Sequence, residues 1–460
     1  MRISNRMAII LSLSIVFILF ALFRFYNLHH RIMFDWDQER DAWQIYDLFK
    51  NFKPTLIGPR VVGPNGFFLP PYFIYILAPF YLMANLHPFG MLLFLGAYNI
   101  GFFFGGLWIL NKLFKYKSAI LFMLFWTVNF LLARYDVISW NPVMLPLCIL
   151  GTWYLLSRIR ENPSIKHLMI LGAFMTLGLS MHFQYIFIML QVFLFILLLK
   201  PARSLANVKK GLLLFAAMLA PLLPLVVFDL RHGFLNSKLF VNFFFLKREI
   251  YYGATYTNWI EVWTNFLEPI TYVKSIPASI IIYVLVAAAS IYLSKKTKGF
   301  SKIFFTSSII VWIAMPVFFT IYKNRPSEYY FTFMYPYMFI TVIEFFKQIG
   351  KEKLTFALVG ILLLFNIKDI RYDIIDGIHT LYAKDQAVRT LKPYVENKKF
   401  NISYDVPLGR NNGFSYLLQY HGIPPSNVET DPLFQIRIPA IGEDIYVHEI
   451  GIMIPPEFKK

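Results

Sequence analysis

The 460-residue chain is 57% hydrophobic, 19% aromatic and only 15% charged, more apolar side chain than one soluble core of this length can hide, which places it in a bilayer. A net charge of +18 would suggest nucleic acid in a soluble protein, but the basic residues fall in short clusters between apolar runs, the pattern that orients membrane helices, so no nucleic-acid partner is expected. The single cysteine, Cys148, excludes intramolecular disulfides and any cysteine-based metal site.

In chain order, Arg2 and Arg6 precede an uninterrupted apolar span, Met7–Phe25, of about the ~20 residues a bilayer needs. It has no small-residue cleavage site and is followed by further spans, so it reads as an anchor and not a signal peptide. A long loop, about 26–89, follows. It opens with MFDWDQERDAW, Met33 to Trp43, and carries Leu69–Asn85, an aromatic stretch started by Pro70-Pro71 that reads as a re-entrant or interfacial helix. Apolar runs then come at about 90–110, 118–133, 142–157, 167–182, 184–199, 211–228, 276–294, 303–322, 331–346 and 354–366, giving eleven spans with the first.

If the N-terminus is cytoplasmic, the inner connections are basic throughout: Lys112/Lys115/Lys117, Arg158/Arg160/Lys166, Lys200/Arg203/Lys209/Lys210, Lys295/Lys296/Lys298/Lys302 and Lys347/Lys351/Lys353. That is what the positive-inside rule requires, and counting Leu69–Asn85 as a crossing would put all five clusters outside. The acidic stretch, residues 134–141, 229–275 and 323–330 and the tail then share the extracytoplasmic side of a cell (plasma) membrane. The tail, 367–460, is polar. A helix is predicted over 383–396, and Phe400–Val406, Phe434–Ile438 and Tyr446–Ile454 read as short strands. The expected fold class is an all-α polytopic membrane protein of about eleven transmembrane helices, residues 1–366, with a small extracytoplasmic α/β domain, residues 367–460.

The chemistry concentrates in the acidic stretch. In a helix beginning near Asp35 or Asp37, Ala42, Ile45, Leu48 and Phe49 form an apolar stripe, while Asp37 and Asp41 share a face one turn apart beside Arg40. A carboxylate held by a cation suits a general base, and mutual repulsion among Asp35, Asp37, Glu39 and Asp41 raises the proton affinity of at least one. The bland alternative is that Asp35 with Gln38 three residues on is simply a helix N-cap. Asp35, Asp37 and Glu39 would be the ligands of a divalent cation if one binds, for which Asp35-Trp36-Asp37 is a weak signal.

Other polar residues fall on the same side. Arg60 sits in a rigid Gly-Pro loop and can be an anion contact or part of a tight turn. Arg134, Asp136 and Asn141 lie at the mouth of two spans, where an acceptor could be oriented, although Asn141-Pro142 is also a common span-starting turn. His182 and Gln184 sit at an outer hairpin, where a polar pair lines a cavity more often than it faces lipid. Arg231 and Arg325 are outer-face cations suited to a phosphate, and Tyr329 belongs to an aromatic excess that either stacks on sugar or forms an interfacial belt.

A first span, an outer helix at Phe34-Asp35-Trp36-Asp37-Gln38, a Leu69-Pro70-Pro71-Tyr72-Phe73-Ile74-Tyr75 segment and a second outer loop with Arg134 and Asn141-Pro142 resemble the polyprenyl-phosphate-sugar-dependent glycosyltransferases of the C superfamily (GT-C), nearest to the protein O-mannosyltransferase and aminoarabinose-transferase-like proteins. The resemblance covers about 1–366. Three departures stand out: the family's Asp-Glu pair is Asp37-Gln38 here, its second-loop Asp is replaced by Asn141, and the Lys that some relatives place before the Pro-Pro pair is Leu69.

The resemblance implies transfer of a sugar, with inversion, from a polyprenyl-phosphate donor at the outer leaflet to the hydroxyl of a protein, lipid or cell-envelope glycan acceptor. Asp37 would be the base, with Asp41 and Asp35 behind it. Arg60, Arg231 or Arg325 would clamp the phosphate, Arg40, Arg134, Asn141, His182, Gln184 and Tyr329 would complete the substrate site, and no cofactor beyond a possible divalent cation is implied. The rival class is a transporter or flippase of lipid-linked sugars, which would need ionisable residues buried in mid-span and helices broken in matched halves. The spans are mostly clean and the acids gather on one face, which favours an enzyme.

Overall fold

Among the described residues each of the eleven apolar runs lies mostly on helical backbone, because a chain in hydrocarbon must satisfy its own N–H and C=O groups. The structure, a computed structural model, describes all residues except 1, 62–65, 163, 200–207, 247–257, 322–325, 376–379, 427, 429 and 460. The helices are α1 (Arg2–Phe25), α2 (Trp36–Lys50), α3 (Tyr72–Met83), α4 (Gly90–Phe114), α5 (Tyr116–Val128), α6 (Phe130–Tyr135), α7 (Leu145–Glu161), α8 (Ile165–Met181), α9 (Ile186–Leu198), α10 (Val208–Leu219), α11 (Leu223–Arg231), α12 (Leu235–Val241), α13 (Asn258–Thr271), α14 (Ile276–Lys296), α15 (Gly299–Ile321), α16 (Tyr335–Gln348), α17 (Glu352–Ile375), α18 (Leu381–Val395) and α19 (Phe414–Tyr420).

Six helical stretches among the described residues are long and apolar enough to cross a membrane: Ile9–His30, Gly90–Phe114, Asn141–Glu161, Leu212–Arg231, Ile276–Lys296 and Gly299–Phe319. The other runs form shorter or interrupted helices, except 354–366, which lies on the 24-residue helix α17 whose ends are charged. At Asn129, for example, the helix breaks and restarts with the Asn129 Oδ1 accepting from Leu132 N at 3.1 Å. The apolar residues left exposed are ordered. On α1, Met7, Ile10, Leu11, Ile15, Ile18 and Leu22 stand outward while Val16, Phe20 and Phe23 are buried, a lipid-facing stripe opposite a packed one. The protein is thus a multi-pass membrane protein. The α3 helix has 12 residues, reaching about 18 Å at ~1.5 Å per residue, well short of a ~30 Å hydrocarbon core.

At its outer end α1 is locked to α5 and α6 by charge. The Arg24 guanidinium is fully buried and donates through Nε to Asp136 Oδ2 at 2.8 Å and through Nη2 to the Trp126 carbonyl at 2.9 Å. The Trp126 indole N–H donates to the same Asp136 oxygen at 2.9 Å. Asp136 is therefore a structural counter-ion and not the acceptor-orienting group its position in the loop suggested. Removing one partner strands a buried charge: Asp136→Asn is expected to cost ~3–5 kcal/mol, and a paired Arg24→Met/Asp136→Leu replacement much less. Thermal unfolding in lipid nanodiscs measures both.

The last long helix runs on to Ile375, past residue 366 where the apolar run ends, because its polar continuation keeps good helix formers. The sheet-bearing unit begins at Thr380, whose hydroxyl caps α18. Four strands, β1 (Asn401–Asp405), β2 (Leu433–Arg437), β3 (Ile445–Val447) and β4 (Ile450–Met453), form a sheet in the order β1-β2-β4-β3, with β1 and β2 parallel and the other pairs antiparallel. The stretch Tyr446–Ile454, expected as one strand, is a hairpin that turns at His448, a residue with φ of 56°. The intervening α19 was not foreseen. Val388, Leu391 and Val395 of α18, Leu417 and Leu418 of α19, and Phe434, Ile436, Ile450 and Ile452 of the sheet are its buried core.

Candidate functional site

The acidic helix α2 starts as its sequence dictates. Gln38 Oε1 accepts from the Asp35 backbone N–H at 3.2 Å, one half of a capping box, and Asp37 and Glu39 sit in the first turn where the helix dipole favours negative charge. Ala42 and Ile45 are buried against the membrane domain. The four acids then part company. Each finds a different environment.

Asp35 bonds to the C-terminal domain: Lys384 Nζ lies 2.6 Å from Oδ1 and Arg410 Nη1 lies 2.6 Å from Oδ2. Lys384 is completely buried and also donates to the carbonyls of Phe34 at 2.9 Å and Asn412 at 2.6 Å. Burial pulls its ammonium below the usual lysine range, opposed by Asp35. Glu39 Oε1 accepts from the Tyr416 backbone N–H at 2.9 Å, near the start of α19. Close approach here requires Gly413, at φ 94°, since a Cβ would strike the Phe34 carbonyl. Asp35 is thus a docking residue, not a base. Nor do Asp35, Asp37 and Glu39 gather around one point as a cation site.

Asp41 is fully buried one turn below Asp37. Its Oδ1 takes the Arg40 Nη2 at 2.7 Å and Nε at 2.9 Å, while Arg40 Nη1 reaches Asp37 Oδ1 at 2.6 Å. Arg40 therefore bridges the two carboxylates, and its charge belongs to α2 and not to a phosphate. Against burial, Asp41 and Asp37 hold the guanidinium above its ordinary range. Burial pushes Asp41 up to about 6 despite Arg40, and its Oδ2 has no hydrogen-bond partner.

Only Asp37 of the four looks outward into a cleft. Its side chain is 46% exposed, and it shares the cleft with Arg60, Leu69, Trp140, Asn141, His182, Gln184 and Tyr329, backed by Phe183, Phe243 and Phe318. The space within it that admits a water-sized sphere is about 90 Å³, smaller than the ~300–1,000 Å³ of closed small-molecule pockets, as suits an open cleft. Arg60 donates through Nε to the Gly66 carbonyl at 2.7 Å and lies 5.1 Å from the Phe68 ring, which fixes the loop at the rim. Asn141 donates to the Met181 carbonyl, holding the α7 entry against the end of α8. Tyr329 packs on Trp140 at 4.9 Å and on the His182 ring at 5.8 Å.

The cleft thus unites Asp37, Arg60, Asn141, His182, Gln184 and Tyr329 from segments far apart in sequence. Arg134 and Arg231 are exposed and do not line it, because each ends a helix whose last turn points to the surface. Arg325 lies outside the described residues. Phe243 and Phe318 were missed: in helices this aromatic, no periodicity separates a cleft wall from lipid-facing surface.

A second cluster joins the domains away from the cleft. His87, at the end of the α3 connection, and His421, after α19, bring their Nε2 atoms to 3.2 and 2.7 Å of Asp385 Oδ1, and Arg389 lies 2.7 Å from Oδ2. Burial alone would raise Asp385, but the bonds from His421 and His87 and the nearby Arg389 hold it well below the usual carboxylate range. It is the one described group of His and acidic residues whose ligand atoms converge, within 4.8 Å. The His87 Nδ1 accepts from the Phe89 N–H at 3.0 Å, so the ring's proton sits on Nε2 and is donated to Asp385, which makes the cluster a hydrogen-bonded link.

A helical membrane domain with an outer acidic helix over an aromatic cleft thus carries a small sheet domain at its C-terminal end. No protein-family model and no curated protein matches the sequence. The fold matches ArnT from Cupriavidus metallidurans bound to undecaprenyl phosphate with a TM-score of 0.60 at 10% identity, over 96% of this chain and 97% of that one. The same protein in the apo state matches with a TM-score of 0.56 at 10% identity, over 98% of both chains.

Proposed function

We propose that the chain is a membrane glycosyltransferase that moves a sugar from a polyprenyl-phosphate donor to an acceptor hydroxyl in the cleft above α2, on the extracytoplasmic side given by the basic inner connections. One observation carries the reading: an exposed, cation-held carboxylate, Asp37, and a cation, Arg60, line the same aromatic cleft in a chain with the fold of a protein solved with undecaprenyl phosphate.

The roles follow from charge. The acceptor oxygen attacks the anomeric carbon, its proton passes to Asp37, and the bond from that carbon to the phosphate oxygen breaks with its electron pair leaving on the phosphate. A lipid phosphate is already a weak base, so the leaving group needs a nearby cation more than an acid, and Arg60 supplies it. Arg40 steers Asp37 while Asp41 neutralises Arg40. A divalent cation, if the reaction uses one, would need ligands other than Asp35 and Glu39, which are bound to the C-terminal domain.

Transfer of radiolabelled sugar from a panel of polyprenyl-phosphate sugars, in membranes containing the chain, tests the proposal. Lipid-linked sugar crossing the bilayer with no transfer would replace it by the flippase.

The Asp41–Arg40–Asp37 relay predicts a pH dependence. With Asp41 at about 6, the group is ionised above that pH and neutral below it. Protonation leaves Arg40 pairing with Asp37 alone, which lowers the basicity of Asp37, so transfer should fall as pH drops through about 6. Asp41→Asn should be slow, with no inflection near that pH. A variant that keeps the wild-type profile would remove Asp41 from the relay.

A further inference from the structure

Three uncharged polar groups line the cleft without serving the transfer chemistry. The Trp140 indole Nε1 and the Gln184 Oε1 are both buried and have no hydrogen-bond partner, although burying an unsatisfied polar atom costs ~1–3 kcal/mol. His182 accepts the Gln184 backbone N–H on its Nδ1 at 3.4 Å, which leaves the proton of the neutral ring on Nε2 as a donor. Burial holds the ring neutral by pushing it down to about 3. The residues of the wall therefore carry N–H donors on Trp140, His182 and the Gln184 amide and a carbonyl acceptor on Gln184, all uncharged, at or just beneath the cleft surface beside the rings of Tyr329 and Trp140.

The charges in the cleft are otherwise engaged. Asp37 is the only carboxylate among the described lining residues and is paired with Arg40 at 2.6 Å. Arg60, the only guanidinium or ammonium there, is anchored through Nε on the Gly66 carbonyl. An ammonium on the sugar would compete with Arg40 for Asp37, and a carboxylate would compete with the phosphate for Arg60.

Resting on the glycosyl-transfer reading above, we infer that Trp140, His182 and Gln184 form the recognition wall for the donor sugar and select a neutral, hydroxyl-rich ring over an amino sugar or a uronic acid. A hydroxyl is both donor and acceptor, so it satisfies the unpaired Trp140 N–H or Gln184 carbonyl at once. A site built this way rejects the analogue that leaves its buried groups unpaired.

The test is binding and transfer by the purified full chain in nanodiscs with undecaprenyl-phosphate glucose, its singly deoxygenated analogues, an aminodeoxy analogue and the glucuronic acid analogue. The neutral parent is expected to bind tightest, with losing one critical hydroxyl costing about tenfold. Gln184→Met should weaken the parent about tenfold and no longer distinguish it from one deoxy analogue. Trp140→Phe, which removes the N–H and keeps an aromatic ring, should do so for another, and carries the test should Gln184→Met fail to fold. Equal or tighter binding of either charged analogue, or undiminished deoxy discrimination in both variants, overturns the inference even if transfer occurs. Selective binding without transfer to any acceptor would uphold the wall and defeat the transferase.

Discussion

Asp37→Asn is expected to lower sugar transfer by ~10²- to 10⁴-fold, the usual contribution of a positioned base, while changing folding stability by no more than about 0.5 kcal/mol. The two halves of that expectation come from different observations. Asp37 is the acid of α2 that lines the cleft, whereas Asp35 and Glu39 bond to the C-terminal domain and Asp41 is buried under Arg40. Its side chain is nearly half exposed, and exposed ion pairs such as Asp37–Arg40 contribute little to stability. Arg40 keeps Asp41 when Asp37 is neutralised, so no buried charge is stranded. Radiolabel transfer and thermal unfolding on the same nanodisc preparation decide the matter, and full activity in the variant would remove Asp37 as the base.

Lys384→Met should behave in the opposite way, with a loss of ~3–5 kcal/mol in the docking of the C-terminal domain. Lys384 is fully buried and makes three bonds that cross between α18, the start of α2 and the loop before α19. Without it, Asp35 keeps Arg410 alone, and the Phe34 and Asn412 carbonyls lose a charged donor. Limited proteolysis should then trim the sheet domain from a membrane part that stays folded. Transfer should fall too, because α2 and hence Asp37 are held from that side. Asp35→Asn should reproduce the proteolysis result. A proteolytic pattern identical to wild type in both variants would show that the latch lies elsewhere, with the His87–Asp385–His421 link as the remaining candidate.

The contrast between these neighbours, Asp35 and Asp37, marks where sequence reading stops. Local rules sufficed wherever a signal is carried by consecutive residues. Apolar length gave the helical membrane part, Asp35 and Gln38 the start of α2, Pro70-Pro71 the start of a helix too short to cross, and alternation the strands β1 and β2. The sequence also named Asp37, Arg60, Asn141, His182, Gln184 and Tyr329, since polar residues at the ends of apolar runs are few and conspicuous.

What the sequence could not assign is which of four clustered acids faces the cleft. Their spacing on α2 is symmetric enough for any of them, and the choice is made by Lys384 and Arg410, some 350 residues away in the chain and close only because the sheet domain folds back onto α2. Pairing at a distance likewise decides that Asp136 is a counter-ion for Arg24 and that Arg134 and Arg231 stay outside the cleft. Charge type is written in the sequence. Whether a charge is a base, a latch or a counter-ion depends on its partner and its burial, and both are properties of the assembled fold.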